Sequence, residues 1–153
     1  AIHAVLPQLT ERFDLVQLCG PGKLIHCDYR RCRQYEYVDG EMPDLLAAAD
    51  LAVGRSGANS VFELTALGIP ALYVPLPLSA SRGDQIQNAD YAKKRGYAAV
   101  LPQEEMEKDP QNLVKALGDL YDRREDYAKA LAAAKHIDGT QAVLEQIHAS
   151  LGR

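Results

Sequence analysis

Cysteine, tryptophan and phenylalanine are scarce in this chain of 153 residues, which contains no tryptophan, two phenylalanines and three cysteines. The number of cysteines is odd, and Cys19, Cys27 and Cys32 show no C-x-x-C spacing. Structural zinc sites and disulfide frameworks need paired or regularly spaced cysteines, so neither is expected here. The cysteine usage instead suits a reducing compartment.

Long apolar runs and an excess of positive charge are also lacking. The longest apolar runs have the length of strands, far below the roughly 20 residues that a membrane-spanning helix needs. Lysine and arginine total 17 against 21 acidic residues, and the net charge of −4 argues against a nucleic-acid-binding surface. We therefore expect neither a membrane span nor a nucleic-acid partner.

Motifs of several catalytic classes are missing as well. The histidines form no i, i+4 pair, and neither an Asp-x-Asp nor a His-Glu-x-x-His pattern offers a metal site. Ser56 is not part of a G-x-S-x-G nucleophile motif, because position 58 is Ala, and residues 20–23 lack the spacing of a P-loop. We predict no metal, no cofactor and no catalytic nucleophile in this chain.

The chain does contain a regular alternation of strand and helix patterns. Short apolar segments alternate with segments whose apolar residues recur every three to four positions. The predicted strands cover residues 13–19, 33–38, 50–54, 71–75 and 98–101, and the predicted helices cover residues 1–12, 42–49, 60–67, 84–95, 111–121, 124–135 and 140–151. This order predicts a Rossmann-like α/β fold, in which a parallel sheet carries helices on both faces.

The length of the chain predicts a single domain over residues 1–153. A sheet of this kind usually begins with a strand, whereas this sequence begins with a helical pattern. We therefore expect that the first strand of the sheet is missing and that the sequence is a fragment of a larger protein.

The region from Asp50 to Gln85 carries the strongest functional signal. An apolar strand runs into a glycine-containing turn and then into a helix, through Ser56, Gly57, Ala58, Asn59 and Ser60. The first amides of a helix have no internal acceptor and carry partial positive charge, so this arrangement suits a phosphate group. A second strand leads into a second polar loop at residues 81–85, and the two strand ends together predict a ligand crevice.

Two acidic residues near helix starts each allow two interpretations. Ser60 and Glu63 fit the S-x-x-E capping box, in which each side chain bonds an amide of the other residue. Alternatively, the Glu63 carboxylate holds the two hydroxyls of a ribose. Asp84 is either an acid that stabilises the first turn of a helix or, with Gln85, a ligand of neighbouring sugar hydroxyls.

These motifs are those of a known family. The chain closely resembles the MurG family, bacterial glycosyltransferases that transfer N-acetylglucosamine (GlcNAc) from UDP-GlcNAc onto lipid I, at residues 49–60, Glu63, residues 68–71, Pro75, residues 82–85, Asn88 and Ala89. The forms R-S-G-A-N-S and S-R-G-D-Q-I-Q-N-A are similar to those of Gram-positive members. Weaker similarity extends over nearly the whole chain and implies the C-terminal, donor-binding half of the two-domain GT-B fold.

The resemblance implies a role in binding UDP-GlcNAc for each matching residue. Val38 would read the uracil edge through its backbone, and Glu63 would hold the ribose hydroxyls. Asp84 and Gln85 would bind hydroxyls of the GlcNAc ring. The diphosphate would be lined by the main-chain amides of Ser56, Gly57, Ala58, Asn59 and Ser60. No catalytic residue is implied in this chain, because the family's proposed catalytic base belongs to its N-terminal half.

The implied function is that of the donor-binding domain of an inverting glycosyltransferase that forms lipid II in peptidoglycan synthesis. Lipid I would bind to the missing N-terminal domain, so this chain alone would be inactive. The full-length protein would lie in the cytoplasm, peripheral on the inner face of the cell membrane. The alternatives are another GT-B-like UDP-sugar enzyme, such as a glycolipid glycosyltransferase or a UDP-GlcNAc 2-epimerase, and a non-catalytic UDP-sugar-binding subunit that needs a membrane partner.

Overall fold

The computed structural model describes residues 2–25, 29–134 and 148. Within these residues the strands are β1 (Leu15–Leu18), β2 (Cys32–Tyr35), β3 (Ala52–Gly54), β4 (Ala71–Tyr73) and β5 (Ala98–Val100). A 3-10 helix, Ile2–Val5, precedes the α-helices α1 (Leu6–Arg12), α2 (Met42–Ala48), α3 (Ala58–Leu67), α4 (Asp84–Lys94), α5 (Gln103–Lys108), α6 (Gln111–Asp122) and α7 (Arg124–Ala134). The helix predicted at 140–151 lies outside the described residues except for position 148.

The strands form two parallel sheets. In the first sheet β1 pairs with β2, from Leu15 opposite Cys32 to Leu18 opposite Tyr35. In the second sheet β4 lies in the middle, with β3 on one side and β5 on the other. Helices α3 and α4 form the crossovers of this second sheet, because two neighbouring parallel strands cannot be joined by a tight hairpin.

The middle strand β4 separates two apolar clusters, one on each face of the sheet. Successive side chains of a strand point to opposite faces, so Leu72 and Val74 pack against α1 and α6, and Ala71 and Tyr73 pack against α3, α4 and α7. All of these strand residues are buried. The prediction of a parallel α/β sheet with helices on both faces is confirmed.

The first sheet is covered on one face only within the part of the chain that the structure describes. Leu15 packs into the same cluster as Leu72, and Cys32 is buried. The side chains at the alternate positions are exposed, Val16 by 52% and Tyr35 by 42%. The strict alternation of buried and exposed positions along β1 and β2 therefore differs from the continuous burial of β4.

Two helices differ from the sequence-based prediction. Helix α3 begins at Ala58 rather than at Ser60, because the chain turns helical directly after Gly57, which has an extended conformation and acts as the N-cap. The pattern also misses α5, whose six residues are too few to show a helical period. The predicted end of α3 at Leu67 is confirmed, since Gly68 follows in the left-handed conformation that commonly ends a helix.

Candidate functional site

The N-terminus of α3 is uncapped, and this corrects the proposed capping box. Gly57 has no side chain to offer, and no side-chain hydrogen bond caps the helix. Ser60 is the third residue of the helix, so it does not occupy the N-cap position that the S-x-x-E motif requires. The first intrahelical bond is donated by Val61 N–H to the Gly57 carbonyl, at 3.0 Å. The N–H groups of residues 57–60 have no acceptor among the described residues.

Glu63 has no capping role either, because α3 begins at Ala58 rather than at Ser60. It lies four residues after Asn59 and three after Ser60, positions that share one face of a helix. Its side chain is exposed and has no hydrogen-bond partner in the described part of the chain. A carboxylate therefore stands about one turn from the unsatisfied amides, where it can accept hydrogen bonds from a ligand.

The start of α4 supplies a second polar edge beside α3. Its N-cap is Gly83, with a φ of 89°, and no side chain caps this helix either. Asp84, the first helical residue, is exposed, and Gln85 is half-buried. The Gln85 side-chain oxygen accepts a hydrogen bond from the Leu76 N–H at 3.1 Å, and its amide hydrogens stay available as donors.

Ser56 connects the two helix starts. It has no exposed surface, and its hydroxyl donates to the Gln85 carbonyl at 2.7 Å. The Asn88 side-chain amide of α4 donates in turn to the Ser56 carbonyl at 3.0 Å. These bonds hold the turn before α3, with Ser56 beneath the surface, against the first turns of α4, which begins with Asp84 and Gln85.

Val38 belongs to the loop that follows β2 of the first sheet. It is 9% exposed, and no hydrogen bond joins it to the other predicted site residues. Its neighbour Tyr37 is 74% exposed. The role of the Val38 backbone in reading uracil stays a prediction.

Arg55 is a candidate that the sequence patterns did not single out. It follows β3 directly, and one guanidinium nitrogen donates to the Val74 carbonyl at 2.8 Å and to the Gln103 side-chain oxygen at 2.7 Å. No acidic side chain among the described residues forms an ion pair with it. Its charge is therefore held at the same strand end as the unsatisfied amides. The only signal in the sequence is its place immediately before Ser56.

The backbone amides and Arg55 supply positive charge at these strand ends. Burial raises the pKa of the Tyr73 hydroxyl, at the end of β4, to about 12, so this group stays neutral at physiological pH. No group of three or more His, Cys, Asp or Glu residues in the described ranges could hold a metal ion. None of the described helices is both long enough and apolar enough to span a bilayer.

Two surface clefts lie away from the predicted residues. One, of about 470 Å³, is lined by His3, Lys23 and other residues near the end of β1. The second, of about 390 Å³, lies between β5 and α7. The predicted site includes no lining residue of either cleft.

Comparison with known proteins shows which family the chain belongs to. The family model of the glycosyltransferase family 28 C-terminal domain covers residues 1–147. A relative from Geobacillus thermodenitrificans (strain NG80-2), "UDP-N-acetylglucosamine--N-acetylmuramyl-(pentapeptide) pyrophosphoryl-undecaprenol N-acetylglucosamine transferase", is 42% identical over 149 residues, 96% of this chain and 41% of the relative. The chain spans about two fifths of the length of the curated relatives it matches.

Two solved structures share the fold. The crystal structure of Acinetobacter baumannii MurG has a TM-score of 0.66 and 23% identity over 94% of this chain and 46% of its own. The glycotransferase of kitacinnamycin has a TM-score of 0.67 and 20% identity over 87% of this chain and 34% of its own.

The two structures share the Rossmann-like fold of this domain, and the family model gives its class, the C-terminal domain of a glycosyltransferase. The uncapped helix start at the carboxyl ends of parallel strands fits that class, since ligands of open α/β sheets bind at this edge. The chain belongs to glycosyltransferase family 28, of which it is the C-terminal domain.

Proposed function

We propose that residues 1–153 form one donor-binding domain of a glycosyltransferase that transfers GlcNAc from UDP-GlcNAc onto lipid I to form lipid II. The observation that carries this proposal is the uncapped N-terminus of α3. The four N–H groups of residues 57–60 have no acceptor among the described residues. The name and the 42% identity of the Geobacillus relative support the choice of donor and acceptor.

Each part of UDP-GlcNAc has a counterpart in this arrangement. The diphosphate accepts hydrogen bonds from the amides of Gly57, Ala58, Asn59 and Ser60. Ser56 has no exposed surface, so it supports this turn from beneath.

The sugars and the base bind to the surrounding residues. The Glu63 carboxylate accepts hydrogen bonds from the ribose hydroxyls, because it shares a helix face with Asn59 and Ser60. Asp84 accepts hydrogen bonds from hydroxyls of the GlcNAc ring, and Gln85 donates to them. Uracil lies against the backbone of Val38.

The reaction is a displacement at the anomeric carbon with inversion. A hydroxyl oxygen of lipid I forms the new bond, the bond to the diphosphate oxygen breaks, and UDP leaves with that electron pair. The unsatisfied amides and the dipole of α3 stabilise the negative charge that develops on the leaving diphosphate. The hydroxyl proton passes to a base within hydrogen-bond reach, which we assign to the acceptor-binding half of a full-length enzyme.

We place such an enzyme in the cytoplasm, peripheral on the inner face of the cell membrane. UDP-GlcNAc is water-soluble and lipid I is anchored by its polyprenyl tail, so the two substrates meet at that surface. The membrane-facing surface belongs to the acceptor-binding half.

An amide chemical-shift titration with UDP, UDP-GlcNAc and UDP-glucose tests the proposal. All three ligands are expected to shift the amides of residues 57–60 and of Val38, and GlcNAc-dependent shifts are expected at Asp84 and Gln85. Equal responses to UDP-GlcNAc and UDP-glucose would favour a different UDP-sugar enzyme. Absence of shifts at residues 57–60 at millimolar UDP would contradict the proposal.

The substitution Glu63→Ala separates ligand binding from helix capping. Hydrogen bonds to a charged group contribute about 1.5–3 kcal/mol, so we expect the affinity for UDP to fall by about tenfold or more. The free energy of unfolding should change by less than about 0.5 kcal/mol, because the residue is exposed and caps nothing. Isothermal titration and urea unfolding measure the two effects. Unchanged affinity would remove Glu63 from the site.

A further inference from the structure

The loops after β3 and β4 are tied to α4 by three hydrogen bonds. The Ser56 hydroxyl donates to the Gln85 carbonyl at 2.7 Å, and the Asn88 amide donates to the Ser56 carbonyl at 3.0 Å. The Leu76 N–H donates to the Gln85 side chain at 3.1 Å. We call Ser56, Leu76, Gln85 and Asn88 the loop clamp. None of its polar side chains is left buried without a partner in the described structure.

The positions of Ser56 and Asn88 are unusual for polar residues. Ser56 has no exposed surface although it lies in a loop. Asn88 lies inside α4, where asparagine is less favourable than most residues because its amide competes for backbone bonds. Both side chains are used in bonds between elements, 29 and 32 residues apart in sequence. Their contribution is therefore tertiary rather than local.

The clamp joins the two ends of the proposed donor site. Ser56 immediately precedes the amides assigned to the diphosphate, and Gln85 is assigned to the sugar ring. The covalent bonds of a diphosphate sugar limit the distance between its phosphates and its ring hydroxyls, so both sets of protein groups must keep a matching separation when the ligand binds. Pre-organised groups lose less entropy when the ligand binds.

We propose that Ser56 and Asn88 are positioning residues, which fix the α3 amides relative to the first turn of α4 and so determine the preference for UDP-GlcNAc over UDP. This inference rests on the proposed function. Neither side chain contacts the ligand. Ser56 acts from its buried position, and Asn88 acts through the N–H that its amide donates to the Ser56 carbonyl.

The substitution Asn88→Leu tests the clamp, because leucine has a similar shape and no hydrogen-bond donor. Its matched control is Gln87→Leu, at the exposed neighbouring position on the same helix. In the ligand-free chain, Asn88→Leu should shift the amides of residues 57–60, and the control should not. The affinity for UDP should change by less than about threefold, whereas the extra affinity that GlcNAc gives should fall by about tenfold.

The outcomes separate this inference from the proposed function. If Asn88→Leu leaves both the loop amides and the GlcNAc-dependent affinity unchanged, Asn88 does not position the loop and the inference is wrong. If the amides shift and the unsubstituted chain binds neither ligand, the clamp exists but the donor-site assignment fails, and the inference about preference fails with it. Loss of affinity for both ligands in equal proportion would indicate a general structural role instead.

A second pair of variants addresses the hydroxyl of Ser56. Ser56→Thr and Ser56→Val have nearly the same shape and differ in one donor. Comparing them removes the effect of the added methyl group at this buried position. We expect the GlcNAc group to add more affinity, relative to UDP, in the threonine variant than in the valine variant. Equal values in two folded variants would contradict a role for the hydroxyl.

Discussion

The two sheets of this domain differ in how completely they are covered. In the three-stranded sheet, β4 has a strand on each side and an apolar cluster on each face. In the two-stranded sheet, Val16, Leu18 and Tyr35 are between 42% and 52% exposed on one face. Parallel strands are normally buried on both faces. The residues assigned to the phosphates and the sugars all follow strands of the better-covered sheet.

Because of this difference, we expect the proposed phosphate and sugar contacts to be held in place within this one domain. The turn after β3 and the start of α4 both follow strands of the three-stranded sheet, which is packed on both faces, and the loop clamp joins them. Val38 follows a strand of the less covered sheet and has no hydrogen bond to the other site residues. We therefore expect the phosphate and sugar contacts to be more rigid than the contact with uracil.

The largest expected effect comes from removing a side chain at the centre of the better-covered sheet. Leu72 is fully buried in β4, so Leu72→Ala should lower the free energy of unfolding by about 2–5 kcal/mol. The matched change Leu18→Ala, at a position 45% exposed in β1, should cost less than about 1 kcal/mol. Urea unfolding measures both. Similar losses would contradict the difference in coverage.

A smaller effect is expected at two glycines with positive φ. A Cβ at Gly83, where φ is 89°, would meet the Leu78 side chain at 3.0 Å, whereas a Cβ at Gly22, where φ is 69°, would meet nothing within 4 Å. Each alanine in this conformation costs about 1–2 kcal/mol. Gly83→Ala should therefore lower the free energy of unfolding more than Gly22→Ala, as thermal denaturation would show. The reverse order would indicate that the loop before α4 moves enough to accommodate the added Cβ at low cost.

The smallest effect concerns an exposed ion pair beside the two-stranded sheet. Arg31 bonds both carboxylate oxygens of Asp14 at 2.9 Å, and this hydrogen bonding lowers the pKa of Asp14 below its usual 3.8. A lowered pKa gives stability that is present above about pH 4 and is lost as the pH falls through the folded-state value. Asp14→Asn should therefore slightly reduce the dependence of the free energy of unfolding on pH, as acid unfolding would show. An unchanged pH dependence would mean that the pair is screened by solvent.

The sequence predicts the order of elements well because burial imposes clear periods on it. The apolar run at 71–75 predicts a strand covered on both faces, and β4 is that strand. Gly68 and Pro70 mark the end of α3, because one favours a left-handed conformation and the other cannot continue a helix. The resemblance adds the fold class and the family, which the comparisons confirm.

The site is less predictable because its details depend on contacts distant in sequence. The S-x-x-E pattern of Ser60 and Glu63 predicts a cap, but the same spacing also occurs inside a helix, and α3 begins two residues earlier. The burial of Ser56 depends on α4, 29 residues away. Asn88 gives one weak signal in the sequence. Asparagine is disfavoured inside helices, and this one lies on the same helix face as Asp84 and Gln85.

The absence of a cap on α3 has a consequence for hydrogen exchange with solvent. Amides in the central strand β4 are bonded and buried, so they should exchange only when much of the domain opens. The amides of residues 57–60 have no acceptor and should exchange at nearly the rate of an open chain, although β3, which pairs with β4, ends only a few residues before them. We therefore expect slowly and rapidly exchanging amides close together at this edge of the sheet. A bound diphosphate would be seen as protection appearing at four otherwise unprotected positions.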